Sequence, residues 1–320
     1  MDPSFVKFPG FFIFICTSFY LISGTIQSTN NIIEEIADYS EDLPPAENVL
    51  LATGYRTGSS FFAELFNQND DVLYLFEPEH NLNFLNPHIQ EEWANFVLDL
   101  FQCNYTNPKL LQPNKSRIMS TDRSKMLSSH NFCGGENCSH FNRSKAEALC
   151  KSKKRVIKTI KIGRIDILLK EAERRKVDLR VLLYFRDARP VYLSRKKADE
   201  LGEPTYYLNI ARYCSLKLDQ FNFYAENLSL HSRLKSVKFE EVAESPENEA
   251  NIIYEYLKWD VPANLNSWIE KNTQTTSGGT FGTSRNSIEK ISEWREKIEE
   301  EEKFLVDTIC KDYLNALNYT

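Results

Sequence analysis

The sequence has no surplus of positive charge: 39 Lys and Arg stand against 45 Asp and Glu, a formal net charge of -6. That balance excludes a protein that coats nucleic acid by bulk electrostatics, so any anionic ligand has to be held by a local site. The sequence also lacks internal repeats of solenoid or propeller period. Its only low-complexity stretch is the acidic run Glu299 to Glu302, which reads as a solvated helix face. With 42% hydrophobic and 26% charged residues, disordered, collagen-like and coiled-coil architectures are excluded as well. A chain of 320 residues suffices for one large domain or two small ones with a sizeable core.

Charge is missing altogether from Phe8 to Ile33, whose apolar centre is Phe11 to Ile15 and Phe19 to Ile22. This reads as a membrane-targeting segment. Lys7 precedes it and Ser23-Gly24-Thr25 supplies small residues behind, so a cleaved signal peptide and an uncleaved signal anchor both fit. A buried core helix is the bland alternative, and the length favours the anchor. The expected layout is a cytosolic stub at 1–7, a signal-anchor at 8–29 and a polar, Pro-containing stem at 30–47. A lumenal domain follows at 48–320.

Outside the apolar segment, which holds Cys16, the cysteines are Cys103, Cys133, Cys138, Cys150, Cys214 and Cys310. They form an even set that an oxidising lumen would pair, in any of fifteen ways. Six Asn-x-Ser/Thr sequons, at Asn104, Asn114, Asn137, Asn142, Asn227 and Asn318, agree with that compartment. A zinc site from Cys133, Cys138, His140 and Cys150 matches no common ligand spacing, and no metal is expected.

Short apolar runs predict strands at Asn48 to Thr53, Val72 to Phe76, Arg155 to Ile160, Leu179 to Phe185 and Leu234 to Phe239. Between them, apolar residues three or four apart predict helices at Glu91 to Phe101, Ile165 to Arg174, Pro190 to Ala198, Asn209 to Asn227 and Glu247 to Leu257. Nearly continuous apolar strands alternating with helices imply an α/β fold with a central parallel sheet covered on both faces. Ligands then bind at the carboxyl ends of the strands. Residues 102–150, rich in Ser, Asn and Cys, read as a disulfide-bearing insertion.

The first strand runs directly into Gly54-Tyr55-Arg56-Thr57-Gly58-Ser59-Ser60 and then a helical run. Strand, small-residue loop and helix let backbone N–H groups converge on an anion, and Arg56 adds a cation with a fork of donors. The Lys of the Walker A pattern is missing, which disfavours ordinary ATP or GTP hydrolysis. The bland reading is a tight turn with Ser59 capping a helix. A second strand ends in Arg186-Asp187-Ala188-Arg189-Pro190, and Ser194 follows within the next helix. Arg186 and Ser194 can clamp a second phosphate, or the segment is simply a basic helix start. Two such loops on one sheet suggest a nucleotide with two separated phosphates.

Several motifs carry a family resemblance: Thr53 to Phe61 with Leu65-Phe66-Asn67-Gln68, Tyr74-Leu75-Phe76-Glu77-Pro78, Arg186 to Arg189 with Ser194-Arg195, and Gly282 to Ser287 with Trp294-Arg295. Over residues 48–320 the chain resembles the Golgi carbohydrate 6-O-sulfotransferases that act on galactose, N-acetylglucosamine or N-acetylgalactosamine. Its cysteines also fall where that family tends to carry them. The resemblance implies a P-loop-like sulfotransferase fold that uses 3′-phosphoadenosine 5′-phosphosulfate (PAPS). Tyr55, Arg56, Thr57, Gly58, Ser59 and Ser60 would surround the 5′-phosphosulfate, and Arg186 with Ser194 the 3′-phosphate. Arg285 and Trp294 would close over the nucleotide. The chain departs from the family's usual Arg-Asp-Pro-Arg by Ala188, with a proline displaced to Pro190, which puts the start of that helix and the Ser194 geometry in question.

The implied reaction needs a base for the acceptor hydroxyl, and Glu77, just past the second strand, is the first choice, with His80 the alternative. Arg56 would stabilise the departing phosphate. The expected partners are a glycan of a glycoprotein or proteoglycan and the Golgi membrane, in type II orientation; a homodimer is compatible. The basic cluster Lys151, Lys153, Lys154, Arg155, Lys158 and Lys161 reads as a solvated approach to a strand, or as a grip on an acidic glycan. Trp93, Trp259 and Trp268 read mostly as core. Two other functions stay open: a lumenal nucleotide-dependent kinase, and a non-catalytic glycan-binding protein on a degenerate enzyme fold.

Overall fold

Five apolar runs pair into one fully parallel sheet. In the computed structural model they are β1 (Asn48–Ala52), β2 (Val72–Phe76), β5 (Lys154–Thr159), β6 (Leu179–Phe185) and β7 (Leu234–Lys238), in the order β2-β5-β1-β6-β7. A small antiparallel pair, β3 (Cys133–Gly134) and β4 (His140–Phe141), stands apart. The structure describes residues 43–79, 90–106, 123–130, 132–134, 140–161, 164–198, 203–273 and 288–319. The segment Phe8 to Ile33, His80, Cys138 and Arg285 lie outside these residues. No described helix is long and apolar enough to cross a membrane.

The helices follow in chain order: α1 (Ser59–Asn67), α2 (Gln90–Phe101), α3 (Lys125–Ser129), α4 (Arg143–Lys151), α5 (Ile165–Arg174), α6 (Ala188–Ala198) and α7 (Glu203–Glu226). Beyond β7 come α8 (Phe239–Glu244), α9 (Pro246–Tyr256), α10 (Leu265–Thr273), α11 (Glu289–Ser292), α12 (Trp294–Lys297), α13 (Glu300–Ile309) and α14 (Lys311–Ala316). Two helices begin earlier than their apolar spacing predicts. Pro190 is the third residue of α6 and Pro204 the second of α7, positions where a helix needs no N–H from the residue.

Strand periodicity explains the two-sided core. Leu50 and Ala52 of β1 with Leu73, Ile157, Val181 and Leu183 face one apolar cluster. Val49, Leu51, Tyr74, Val156, Leu182 and Tyr184 face the other. Successive side chains point to opposite faces, so a strand buried on both sides must be apolar throughout. α1 buries Phe62, Ala63, Leu65 and Phe66, and Phe62 stacks on Tyr184 with centroids 4.3 Å apart. Trp93, Trp259 and Trp294 are buried, and Trp268 stacks on Phe61.

Several expectations are corrected. Pro44 to Glu47, read as stem by composition, are tied to the domain: the Ala46 N–H donates to Leu257 O at 3.0 Å and Trp259 Nε1 to Ala46 O at 2.8 Å. The run Glu299 to Glu302 is not uniformly solvated. Glu302 is buried and accepts from Tyr192 Oη at 2.9 Å and Lys196 Nζ at 2.5 Å. The basic cluster is no single surface either: Lys158 is buried against Glu77, while Arg155 is bonded to Asn48 and Glu47. Cys103 pairs with Cys150 across the insertion, which removes Cys150 from any zinc quartet, and Cys214 pairs with Cys310.

Candidate active site

Strand order decides which loops meet. β1 lies between β5 and β6, with Ala52 beside Thr159 on one flank and Leu183 on the other. The loops leaving β1 and β6 at their carboxyl ends are therefore neighbours, and β2 ends beside β5, with Phe76 opposite Lys158.

The β1–α1 loop is closed from within by Thr57, whose hydroxyl donates to Gly54 O at 2.8 Å and accepts from the Gly54 N–H at 3.3 Å. Arg56 has φ 64 and Gly58 φ 79, both left-handed. At Gly58 a Cβ would stand 2.6 Å from the Phe239 ring, so the position excludes any side chain. Gly58, not Ser59, is the N-cap of α1, and it supplies no side-chain cap. The N–H groups of Ser59 and Ser60 at the first helical positions have no intrahelical partner, and the helix dipole adds positive potential there.

Arg56 reaches from the loop to α6 and donates from Nε to Ser194 Oγ at 2.9 Å. Arg195 donates from Nε and Nη2 to the carbonyl of Tyr55 at 3.2 and 3.1 Å, which fastens the same loop to the same helix. The change at Ala188 and Pro190 therefore leaves α6 intact. Asp187 Oδ1 accepts from the Arg189 N–H at 2.9 Å and caps the helix start.

Arg186 is 8% exposed and lies with its Cζ 3.8 Å from the Phe239 ring centroid. Nη1 donates to Arg56 O and Nη2 to Lys290 O, each at 3.3 Å, while Nε has no hydrogen-bond partner. Burial pushes the guanidinium below its ordinary range, against the pull of Glu240. The Arg186 carbonyl accepts from Tyr213 Oη at 2.9 Å and Tyr313 Oη at 2.7 Å. Trp294 packs against Arg189, whose Cζ is 4.5 Å from its ring centroid, and reaches the β6–α6 turn through that residue.

Glu77 stands at the sheet's carboxyl edge with φ 44, and its Oε1 is ion-paired with Lys158 Nζ. A non-glycine residue held in the left-handed region costs on the order of 1 to 3 kcal/mol and clusters at working sites, as Arg56 also does. Glu79, two residues on, is fully buried, and its Oε1 accepts from Thr159 Oγ1.

No protein-family model matches the chain. Carbohydrate sulfotransferase 1 of Rattus norvegicus is 24% identical over 360 aligned positions, covering 96% of this chain and 88% of that protein. Carbohydrate sulfotransferase 3 of Homo sapiens is 25% identical, covering 86% of this chain and 67% of that protein. Over most of its length the chain is thus similar to carbohydrate sulfotransferases. Among solved structures, retinol dehydratase in a complex with retinol and PAP has a TM-score of 0.45 at 15% identity, covering 89% of this chain and 86% of that one. Mouse sulfotransferase SULT7A1 complexed with PAP has a TM-score of 0.46 at 11% identity, covering 88% of this chain and 90% of that one.

The structure brings together Arg56, Ser194 and Arg186 with the first turn of α1, and sets Glu77 two strands away beyond β5. Sequence reasoning missed Phe239, Tyr213, Tyr313, Glu79 and Lys217, and placed Lys158 in a basic surface cluster and not beside Glu77. Lys158 had a signal, a cation inside an apolar strand run. Lys217 had none: its buried Nζ donates to Ala52 O at 3.0 Å, beneath the β1 loop, and burial pushes it down to about 7. Tyr213 and Tyr313 converge from distant helices, which no local pattern reports.

Proposed function

We propose that the chain transfers a sulfuryl group from PAPS to the 6-hydroxyl of a hexose or N-acetylhexosamine in a glycan. The observation that carries the reading is the Arg56–Ser194 bond with Arg186 beside it, which joins two anion-binding loops at one sheet edge in a carbohydrate sulfotransferase homologue. The residues present fit a nucleotide with two separated anionic groups. The guanidinium of the buried Arg186 hydrogen-bonds only to carbonyls among the described residues and leaves Nε without a hydrogen-bond partner, donor capacity that suits an anion.

Bound there, PAPS supplies an electrophilic sulfur and a phosphate leaving group. Arg56 and the N–H groups of Ser59 and Ser60 are assigned to the leaving 5′-phosphate oxygen, where charge develops in a loose in-line displacement. Tyr55, Thr57 and Gly58 shape the loop that carries them. Arg186 and Ser194 are assigned to the 3′-phosphate, and Arg285 and Trp294 to the nucleotide by family resemblance. Glu77 takes the proton of the acceptor hydroxyl. Two strand spacings, roughly 10 Å, separate its strand from β1, room for the transferred group and the attacking oxygen.

The reading includes a Golgi membrane protein of type II orientation with a lumenal catalytic domain. The uncharged run Phe8 to Ile33 supports the anchor, and two buried disulfides support an oxidising compartment. The test is labelled sulfate transfer by the chain, expressed through a secretory pathway, to galactose, N-acetylglucosamine and N-acetylgalactosamine acceptors, with the product linkage determined. Transfer to a 6-hydroxyl is expected. Transfer to another position overturns the regiochemistry, and absence of both transfer and PAP binding overturns the reaction.

A further inference from the structure

At the carboxyl edge of β2 and β5, two carboxyl groups and one amine are shut away from water. Glu77 is 5%, Glu79 0% and Lys158 2% exposed. Lys158 is committed to Glu77 through the Nζ–Oε1 ion pair, and the sheet itself sets that pairing. Phe76 lies opposite Lys158, and the Glu77 N–H donates to Lys158 O at 2.9 Å. Glu79 has a different, neutral neighbour. Thr159 Oγ1 accepts from the Lys161 N–H at 3.2 Å and donates to Glu79 Oε1, whereas Glu79 Oε2 is buried with no hydrogen-bond partner.

The charge count constrains what this cluster can be. With both carboxyls ionised, two buried negative charges would share one buried ammonium, with the half-buried Lys161 as a second cation acting on them, and burial of both charges is costly in a protein interior. One carboxyl must therefore hold a proton. The ammonium contact keeps Glu77 charged, so the proton falls to Glu79, on the Oε2 that Thr159 does not use. Burial pushes Glu79 up to about 8, with Glu77 adding to the rise and Lys158 and Lys161 opposing it. Two other titratable neighbours act on the pair, Lys161 by opposing the rise of Glu79 and Tyr74 from β2. Tyr74 on β2 is driven well above its ordinary range by burial and by the Glu64 and Glu77 charges, and Lys161 is pushed down by burial.

We infer that Lys158 and Glu79 are positioning residues for the base of the proposed transfer: Lys158 aims Glu77 and keeps it ionised, and Glu79 stores the proton that Glu77 must not carry. The inference rests on Glu77 being the base. A base that is already protonated cannot accept the hydroxyl proton, so the arrangement sets the lowest pH at which transfer runs.

The test is the pH profile of kcat for the full chain carrying Lys158→Met, Lys158→Arg or Glu77→Gln, with PAP binding and thermal melting as controls. Lys158→Met should raise the acid limb by roughly one to three pH units, the effect of removing a close opposite charge, and Lys158→Arg should return it toward wild type. An unmoved acid limb in a folded Lys158→Met protein, with Glu77→Gln inactive, overturns the inference and leaves the base reading standing. Near wild-type transfer by Glu77→Gln overturns the base reading instead. Should Lys158→Met fail to fold, carboxyl-carbon NMR titration decides. The glutamate signal titrating near pH 8 should vanish in Glu79→Gln and persist in Glu77→Gln, and the reverse pattern overturns the assignment.

Discussion

Arg56 on the β1–α1 loop donates from Nε to Ser194 Oγ on α6 at 2.9 Å, across 138 residues of sequence. The bond ties the cation of the β1–α1 loop to a hydroxyl inside α6, so that on the proposed assignment one connected unit meets both phosphates.

Removing parts of that unit should be non-additive. Ser194→Ala should weaken PAP binding about tenfold, the scale of one hydrogen bond to a charged group. Arg56→Ala and Arg186→Ala should each cost more. Titration calorimetry on Ser194→Ala, Arg56→Ala and the double variant checks the coupling. A fully additive double variant would mean that the bond does not organise the site.

Gly58→Ala should damage both stability and nucleotide binding. Its φ of 79 strains any L side chain, and the new Cβ would press on Phe239, whose ring carries the Arg186 guanidinium. The expected loss is about 1 to 3 kcal/mol of stability. Weaker PAP binding should accompany it because Arg186 moves with Phe239. Melting and calorimetry on one sample test both, and unchanged binding in a destabilised variant would uncouple Phe239 from the site.

The two disulfides should differ in function. Cys214 adjoins Tyr213, and Cys310 stands three residues before Tyr313, the two tyrosines that hold the Arg186 carbonyl. Cys214→Ala with Cys310→Ala should lower both stability and PAP affinity. Cys103→Ala with Cys150→Ala, at the insertion, should lower stability by about 2 to 5 kcal/mol and leave affinity intact. Equal affinities for the two double variants would refute the distinction.

Stability should respond to pH with opposite signs at Glu79 and Lys217. Glu79 is raised from 4.5 to about 8, so the folded chain binds the extra proton between those values. Its contribution is complete below about pH 4.5 and lost as pH rises through 8. The stability of wild type relative to Glu79→Gln should therefore fall across that window. Lys217 is pushed from 10.5 to about 7, so the unfolded chain binds the extra proton and stability rises with pH from 7 to 10.5. Relative to Lys217→Met, wild type should gain stability across that range. Denaturant titrations at stepped pH measure both, and flat differences would refute the assignments.

The strands were legible because both faces of this sheet are buried, which favours apolar runs such as Val181 to Phe185, and β2 and β6 have the bounds their residues predict. The starts of α6 and α7 were less legible because Pro190 and Pro204 look like barriers, yet sit in first turns. At the site, the β1 loop could be read because strand, glycines and helix are contiguous. Glu77 was placed at the correct edge by counting from β2, but its ion pair was not visible, since Lys158 lies 81 residues away.

By itself the sequence determined the α/β class, the bounds of most strands and the loops whose residues can hold an anion, because periodicity and turn chemistry are local. The tertiary structure alone decided the order β2-β5-β1-β6-β7, and with it that Arg56 meets Ser194, Phe239 carries Arg186, and Lys158 pairs with Glu77. An apolar pattern says that a strand is buried and not which strand lies beside it. That choice is made by the packing of the whole sheet and its covering helices.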